Sequence, residues 1–237
     1  MTTLNTSAAQ APFSAVLFDL DGTLIDTAAD FIRIIKQMCT KYGHACPSDI
    51  AIREQVSAGA RAMVKLLFGD ELANADDENQ VLLQYRQEFL DAYEANICVD
   101  SRLFAGFDEL LTTLETKGVP WGIVTNKPRY LAEQLLDKLA LSNRCAVLVC
   151  PDDVVNTKPD PEPLFLACRT LGIVPTTAVY IGDHIRDIQA GNGAGMTTVV
   201  AEFGYLSQAD KASLHEWQAD VLIPTPQTLS EYILANV

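Results

Sequence analysis

The chain has 237 residues, 49% of them hydrophobic, and carries 31 acidic against 17 basic residues for a formal net charge of −14. That length and apolar content suffice for one substantial core and a second, smaller unit. The acidity excludes nucleic acid or an anionic membrane surface as the expected partner, because both are gripped by clustered Lys and Arg.

Residues 1–10 are polar, lack the basic start and apolar centre of a signal peptide, and read as a loose tail. Ala15-Val16-Leu17-Phe18 is an apolar run of the kind buried on both faces of a parallel sheet. Thr27-Ala28-Ala29-Asp30 has the Ser/Thr-x-x-acid spacing that opens a helix with a capping box. Phe31, Ile34, Ile35, Met38 and Tyr42 follow at helical spacing, and Gly43 is placed to stop them. Helical patterns recur over 60–68 and 76–95, and no comparable strand interrupts them. Residues 27–100 therefore read as an all-helical insertion after the first strand. From Leu103 onward helices at 108–117, 129–139, 163–171 and 188–190 alternate with strands at 121–126, 146–150, 179–182 and 197–200. A short strand at 221–223 precedes a final helix. Such alternation predicts parallel strands joined by crossover helices, an α/β fold.

No apolar run approaches the ~18 residues that span a bilayer. Six cysteines (Cys39, Cys46, Cys98, Cys145, Cys150 and Cys168) show no CxxC pair. Reduced thiols in a cytoplasmic protein are the expectation.

The densest chemistry lies at Phe18-Asp19-Leu20-Asp21-Gly22-Thr23. Two carboxylates two residues apart follow a buried strand, and ligands of open α/β sheets bind beyond the carboxyl ends of strands. Carboxylates this close repel one another, and a divalent metal is the usual way to keep both ionised. Three further signals follow in order. The strand Trp121-Gly122-Ile123-Val124 delivers Thr125 and Asn126, Lys158 sits in Asn156-Thr157-Lys158-Pro159, and the strand ending at Gly182 delivers Asp183 and Asp187. Asp187 also reads as a helix N-terminal carboxylate favoured by the macrodipole. An anionic substrate would require cations that invert the global field locally, with Lys127, Arg129 and Arg61 as candidates beside Lys158.

These four motifs, in this order and spanning essentially the whole chain, resemble the haloacid dehalogenase superfamily of aspartate-nucleophile phosphatases. The resemblance implies a doubly wound, Rossmann-like parallel sheet as catalytic core (11–26 and 101–237) with a smaller helical cap domain (27–100). It implies Asp19 as nucleophile forming an aspartyl-phosphate, Asp21 as general acid and then base, and Lys158 as the catalytic cation. Mg²⁺ would be held by Asp19, the Asp21 carbonyl and Asp183, with Asp187 orienting a metal-bound water or pairing with Lys158. Thr125 and Asn126 would hold the phosphate, and Gly59 and Arg61 of the cap loop Ser57-Ala58-Gly59-Ala60-Arg61 would contact the leaving group.

The stretches 124–128 and 56–64 resemble the phosphoglycolate phosphatase branch and, within it, N-acetylmuramic acid 6-phosphate phosphatases. Both act on small carboxylate-bearing phosphomonoesters, and Arg61 could pair with that carboxylate in either. A phosphosugar mutase and a non-catalytic phosphometabolite sensor are the alternatives, and either a monomer or a homodimer is compatible with the chain.

Overall fold

The computed structural model describes residues 12–237, so the expected tail at 1–10 lies outside the described residues. In chain order the elements are β1 (Ala15–Phe18), β2 (Ile25–Asp26), α1 (Ala28–Tyr42), α2 (Asp49–Arg53), α3 (Ala60–Phe68), α4 (Gln80–Ala95) and β3 (Arg102–Leu103). They continue with α5 (Phe107–Lys117), β4 (Trp121–Val124), α6 (Arg129–Lys138), β5 (Val147–Val149), α7 (Glu162–Leu171), β6 (Ala178–Gly182) and α8 (Ile185–Ala194). The last are β7 (Thr197–Ala201), α9 (Gln208–Ser213), β8 (Val221–Ile223) and α10 (Pro226–Ala235).

Six strands form one parallel sheet in the order β5-β4-β1-β6-β7-β8. The chain leaves β1 for β4 and β5 on one side and crosses to β6, β7 and β8 on the other. β1 therefore lies at the point where the winding reverses, where α/β sheets place their ligands. The period of two along a strand explains how both faces are filled. Val16 and Phe18 point into an apolar cluster with α5, α6 and α10, whereas Ala15 and Leu17 point to the opposite face, packed by α7 and α8. Every residue of β1, β4 and β6 is buried. Each large aliphatic or aromatic side chain so enclosed contributes about 1.5–3 kcal/mol.

The helices α1 to α4 leave the sheet at β2 and return at β3, two short antiparallel strands paired Ile25 to Leu103 and Asp26 to Arg102. α1 packs on α2, α3 and α4, and α3 packs on α4. Among the described residues no helix is long and apolar enough to cross a membrane.

Local details differ from the sequence reading. The capping box expected at Thr27 and Asp30 does not form. Thr27 precedes α1, but its side chain makes no cap bond. Instead the Tyr205 hydroxyl accepts from the Thr27 and Ala28 amides at 2.6 and 3.0 Å, freeing the Thr27 hydroxyl to donate to Asp21 at 2.7 Å. Asp30 is drawn away by Ser101, whose hydroxyl and amide both donate to it, and by Arg33. α4 begins at Gln80 rather than 76 because the Asn79 side chain accepts from the Val81 and Leu82 amides, both at 3.0 Å. α8 runs to Ala194, well beyond the three residues read as helix. Gly191 within it admits the Thr198 side chain against the helix backbone.

Candidate active site

The loops that follow β1, β4 and β6 meet at the carboxyl end of the sheet. Asp19 directly follows β1, and its amide still donates to the Ile181 carbonyl at 2.8 Å, so its backbone is held as part of the sheet. Gly22 then turns the chain with φ +83°, a left-handed conformation open to glycine. A side chain there would also overlap the Asp183 carboxylate and the Tyr205 ring. Gly204 is pressed against Asp183 in the same way, so two backbone segments without side chains wall in that carboxylate.

Lys158 lies at the centre of the buried chemistry. Its ammonium donates to Asp19 Oδ1 at 2.8 Å, Asp187 Oδ1 at 2.7 Å and the Tyr180 hydroxyl at 2.7 Å. These three side-chain acceptors, with a backbone carbonyl as a fourth, share three protons. The Val124 carbonyl, 2.9 Å from the ammonium, is also satisfied by the Tyr180 hydroxyl, which donates to it at 2.8 Å. Asp187 does what both sequence readings offered. One oxygen pairs with Lys158, and the other accepts from the His184 amide at 3.1 Å and caps α8.

One carboxylate oxygen each of Asp19, Asp183 and Asp187 lies within 4.8 Å of the others. Burial raises the Asp183 pKa most, the charges of Asp19 and Asp187 add to it, and the carboxyl is pushed up to about 8. Burial likewise raises Asp19, against the opposing charge of Lys158. For Asp187 burial also acts upward, but Lys158 and Arg186 outweigh it and hold the carboxyl low. Oδ1 of Asp183 is buried with no hydrogen-bond partner among the described residues. Crowded carboxylates with an orphaned oxygen are the donor set of a hard divalent cation, so the residues fit Mg²⁺. Asp187 adds a third carboxylate to the cluster where a more distant role was one expectation.

The Asp21 carboxylate is engaged elsewhere. It accepts from Lys127 Nζ at 3.0 and 3.3 Å and from the Thr27 hydroxyl. Its carbonyl lies on the Asp183 side, because the Ser57 hydroxyl donates to Asp183 Oδ2 at 2.7 Å and stands 3.5 Å from that carbonyl. Lys127 is almost fully buried, and its ammonium sits 4.3 Å from the Tyr93 ring centre and 4.8 Å from that of Phe31. The Tyr93 hydroxyl is buried without a partner among the described residues. Burial, followed by the charges of Asp21 and Asp30, holds its pKa far above the ordinary phenol value, so it is a neutral donor.

A cavity of about 810 Å³ opens above these groups between the sheet loops and the helices α1, α3 and α4. Asp19, Asp21, Thr125 and Asn126 line it on the sheet side, and Gly59 and Arg61 line it on the helical side. Thr125 Oγ1 accepts from the Lys127 amide at 3.1 Å, and the Asn126 side chain donates to the Lys158 carbonyl at 3.0 Å, so both also shape the loop that carries Lys127. Arg129 does not line this cavity; its guanidinium is spent on Asp153, Glu133 and the Leu148 carbonyl. Sequence reasoning missed Ser57 and Arg186 as site residues. Arg186 lines the cavity and donates to the Ser57 carbonyl, so a helical-segment loop is tied to the sheet by two contacts at one residue. Tyr180 and Tyr205 were also missed. Each was legible only as an apolar position, and what gives its hydroxyl a role is a partner far away in the chain.

Residues 16–201 match the family model of haloacid dehalogenase-like hydrolases. The chain is 45% identical over 219 residues to an N-acetylmuramic acid 6-phosphate phosphatase of Pseudomonas aeruginosa, covering 92% of this chain and 94% of that one. It is 43% identical over 218 residues to a phosphoglycolate phosphatase of Xanthomonas campestris pv. campestris, covering 92% and 95%. A solved structure described as a predicted phosphoglycolate phosphatase from Haemophilus somnus superposes with a TM-score of 0.79 at 22% identity, over 93% of this chain and 97% of that one, which establishes the shared fold. The chain belongs to the haloacid dehalogenase-like hydrolase family. Within that family it is a phosphatase.

Proposed function

We propose that the enzyme hydrolyses a small carboxylate-bearing phosphomonoester through an aspartyl-phosphate on Asp19, with Asp21 as acid and then base. The observation that carries this reading is the separation of two nearby carboxylates into different environments. Asp19 is locked to Lys158 through one oxygen, which leaves the other to attack phosphorus. Asp21 is held by Lys127 and Thr27 on the cavity side, beside the path a leaving group must take.

In the first half-reaction an Asp19 oxygen bonds to phosphorus as the bond to the leaving-group oxygen breaks, and Asp21 gives that oxygen a proton. In the second, Asp21 takes a proton from water, the water oxygen bonds to phosphorus, and the bond to Asp19 breaks. Lys158 neutralises charge shared by Asp19 and the phosphoryl group, and Asp187 and Tyr180 fix its ammonium in place. Thr125 and Asn126 form the wall against which phosphate oxygens rest. Mg²⁺, held by Asp19, Asp183 and the Asp21 carbonyl, would supply charge neutralisation for phosphate oxygens.

The helical segment 27–100 acts in this reading as a cap on a core formed by 11–26 and 101–237, excluding water and reading the leaving group through Gly59 and Arg61. The cavity lies toward the upper end of the ~300–1,000 Å³ typical of small-molecule clefts. Its size favours an amino-sugar acid phosphate such as N-acetylmuramic acid 6-phosphate, the substrate named for the Pseudomonas relative. The two-carbon 2-phosphoglycolate is the second reading, resting on the name of the Xanthomonas relative. Six free thiols suit the cytoplasm, and the net charge of −14 suits neither nucleic acid nor a membrane as partner. The protein works as a monomer or homodimer.

Phosphate release from a panel of phosphorylated metabolites, ranked by kcat/KM with and without EDTA, tests the reading. We expect EDTA-sensitive release with N-acetylmuramic acid 6-phosphate at the top of the ranking. Binding or isomerisation without release of phosphate would contradict it.

A further inference from the structure

The helical wall of the cavity carries two guanidiniums, Arg61 on α3 and Arg86 on α4. Arg86 is half-buried and has no hydrogen bond or ion pair with any described residue. The ion pair of Arg61 is a 4.0 Å approach to Asp77, whose side chain is 71% exposed. Burial first, and the charge of Arg61 second, hold the Arg86 guanidinium below its ordinary value. A half-buried cation facing a like charge and no anion is unfavourable in the free protein. It becomes favourable when a ligand brings the missing negative charge.

The phosphoryl end does not need these two cations, because Lys158 stands at Asp19 and Lys127 at Asp21. Phe31, which stacks on the buried rings of Phe89 and Tyr93, stands at the same cavity. The cavity therefore holds anion-binding groups at the sheet loops and a separate pair of guanidiniums on its helical wall.

We propose that Arg86, with Arg61 beside it, forms a carboxylate subsite that reads the leaving group of the substrate. The ligand class is a phosphomonoester whose bulky, partly apolar body carries a carboxylate away from the phosphate. The guanidinium fork matches a carboxylate in two parallel hydrogen bonds, which a lysine at the same place could not reproduce. The inference rests on the phosphatase reading above and adds to it the residue that selects the substrate.

The test compares N-acetylmuramic acid 6-phosphate with N-acetylglucosamine 6-phosphate, the same phosphosugar without the lactyl carboxylate. In Arg86→Met, which keeps an apolar stem, the preference in kcat/KM for the acid over the neutral sugar should fall about 10- to 100-fold, chiefly through KM. Arg86→Lys should restore part of that preference. Equal losses on both sugars, or an unchanged preference, would overturn the subsite. Calorimetric titration of both sugars into Asp19→Asn, with and without Arg86→Met, reads the subsite independently of turnover. There the Kd of the acid should weaken by a similar factor on removal of Arg86. Discrimination in binding without phosphate release by the wild type would sink the phosphatase reading and leave the subsite standing. Failure of the acid to bind better than the neutral sugar would sink the subsite.

Discussion

The two walls of the cavity are built on opposite plans. On the sheet side the two lysines are paired, Lys158 with Asp19, Asp187 and Tyr180 and Lys127 with Asp21, and Asp187 is bonded through both oxygens; the exception is Asp183, whose Oδ1 has no partner among the described residues. On the helical side, among the described residues, Arg86 has no partner, Arg61 has a distant exposed one, and the Tyr93 hydroxyl has none. Pre-arranged charge speeds a reaction because nothing must reorganise as the transition state forms. Unpaired charge costs stability in the empty protein and is repaid by the right ligand. Under the proposed function, the contrast places chemistry on the sheet loops and selection on the helices.

Substitutions on the two walls should separate along that line. The largest expected effect is from Asp19→Asn, which keeps the volume and removes the proposed nucleophile. Its kcat should drop by about 10⁴-fold or more with the circular dichroism of the folded protein retained. Asp21→Asn should lose about 10²- to 10⁴-fold in kcat with little change in KM, as steady-state assays would show. A near-normal rate in that variant would remove Asp21 from the acid role. Ser57→Ala cuts one tie between the walls. It should lower Tm by about 2–4 °C, for roughly 1 kcal/mol, and reduce kcat less than either aspartate. A loss comparable to that of Asp21→Asn would place Ser57 in the chemistry itself.

The cluster of Asp19, Asp183 and Asp187 gives a pH-dependent prediction with a definite sign. Asp183 titrates at about 8 in the fold, far above the ordinary carboxylate range near 4. The stability its neutral form contributes is complete below the unfolded value and is lost as pH climbs through about 8. A cation binds the ionised form, so it compensates most where that loss is complete. Magnesium at about a hundred times its Kd should raise Tm by about 5–10 °C at pH 8.5 and by less at pH 6, measured by differential scanning fluorimetry. A larger gain at the lower pH would contradict the assignment of Asp183 to the metal.

Much of this architecture was legible in the sequence because its signals are local. The buried runs at β1, β4 and β6 are continuous apolar stretches, and the polar residues that follow them fall at the ligand end of the sheet by topology alone. Gly22 was legible as a turn residue, but its second reason, the Asp183 carboxylate pressed against it, was not. What escaped notice depends on distant partners. Lys127 was one of several loop cations until Asp21 and two aromatic rings met it. Arg86 was one polar residue on an amphipathic helix, and only the cavity beside it sets it apart. The capping box at Thr27 was misread for the same reason, since Tyr205 and Asp21 offer bonds that outcompete the local pair.

The most direct measurement is of the covalent intermediate. Rapid acid quench during turnover, borohydride reduction of the acyl-phosphate and peptide mass mapping locate the esterified carboxylate. The account predicts a reduced side chain at residue 19 and at no other aspartate. Label at another aspartate, or none while turnover proceeds, would contradict it.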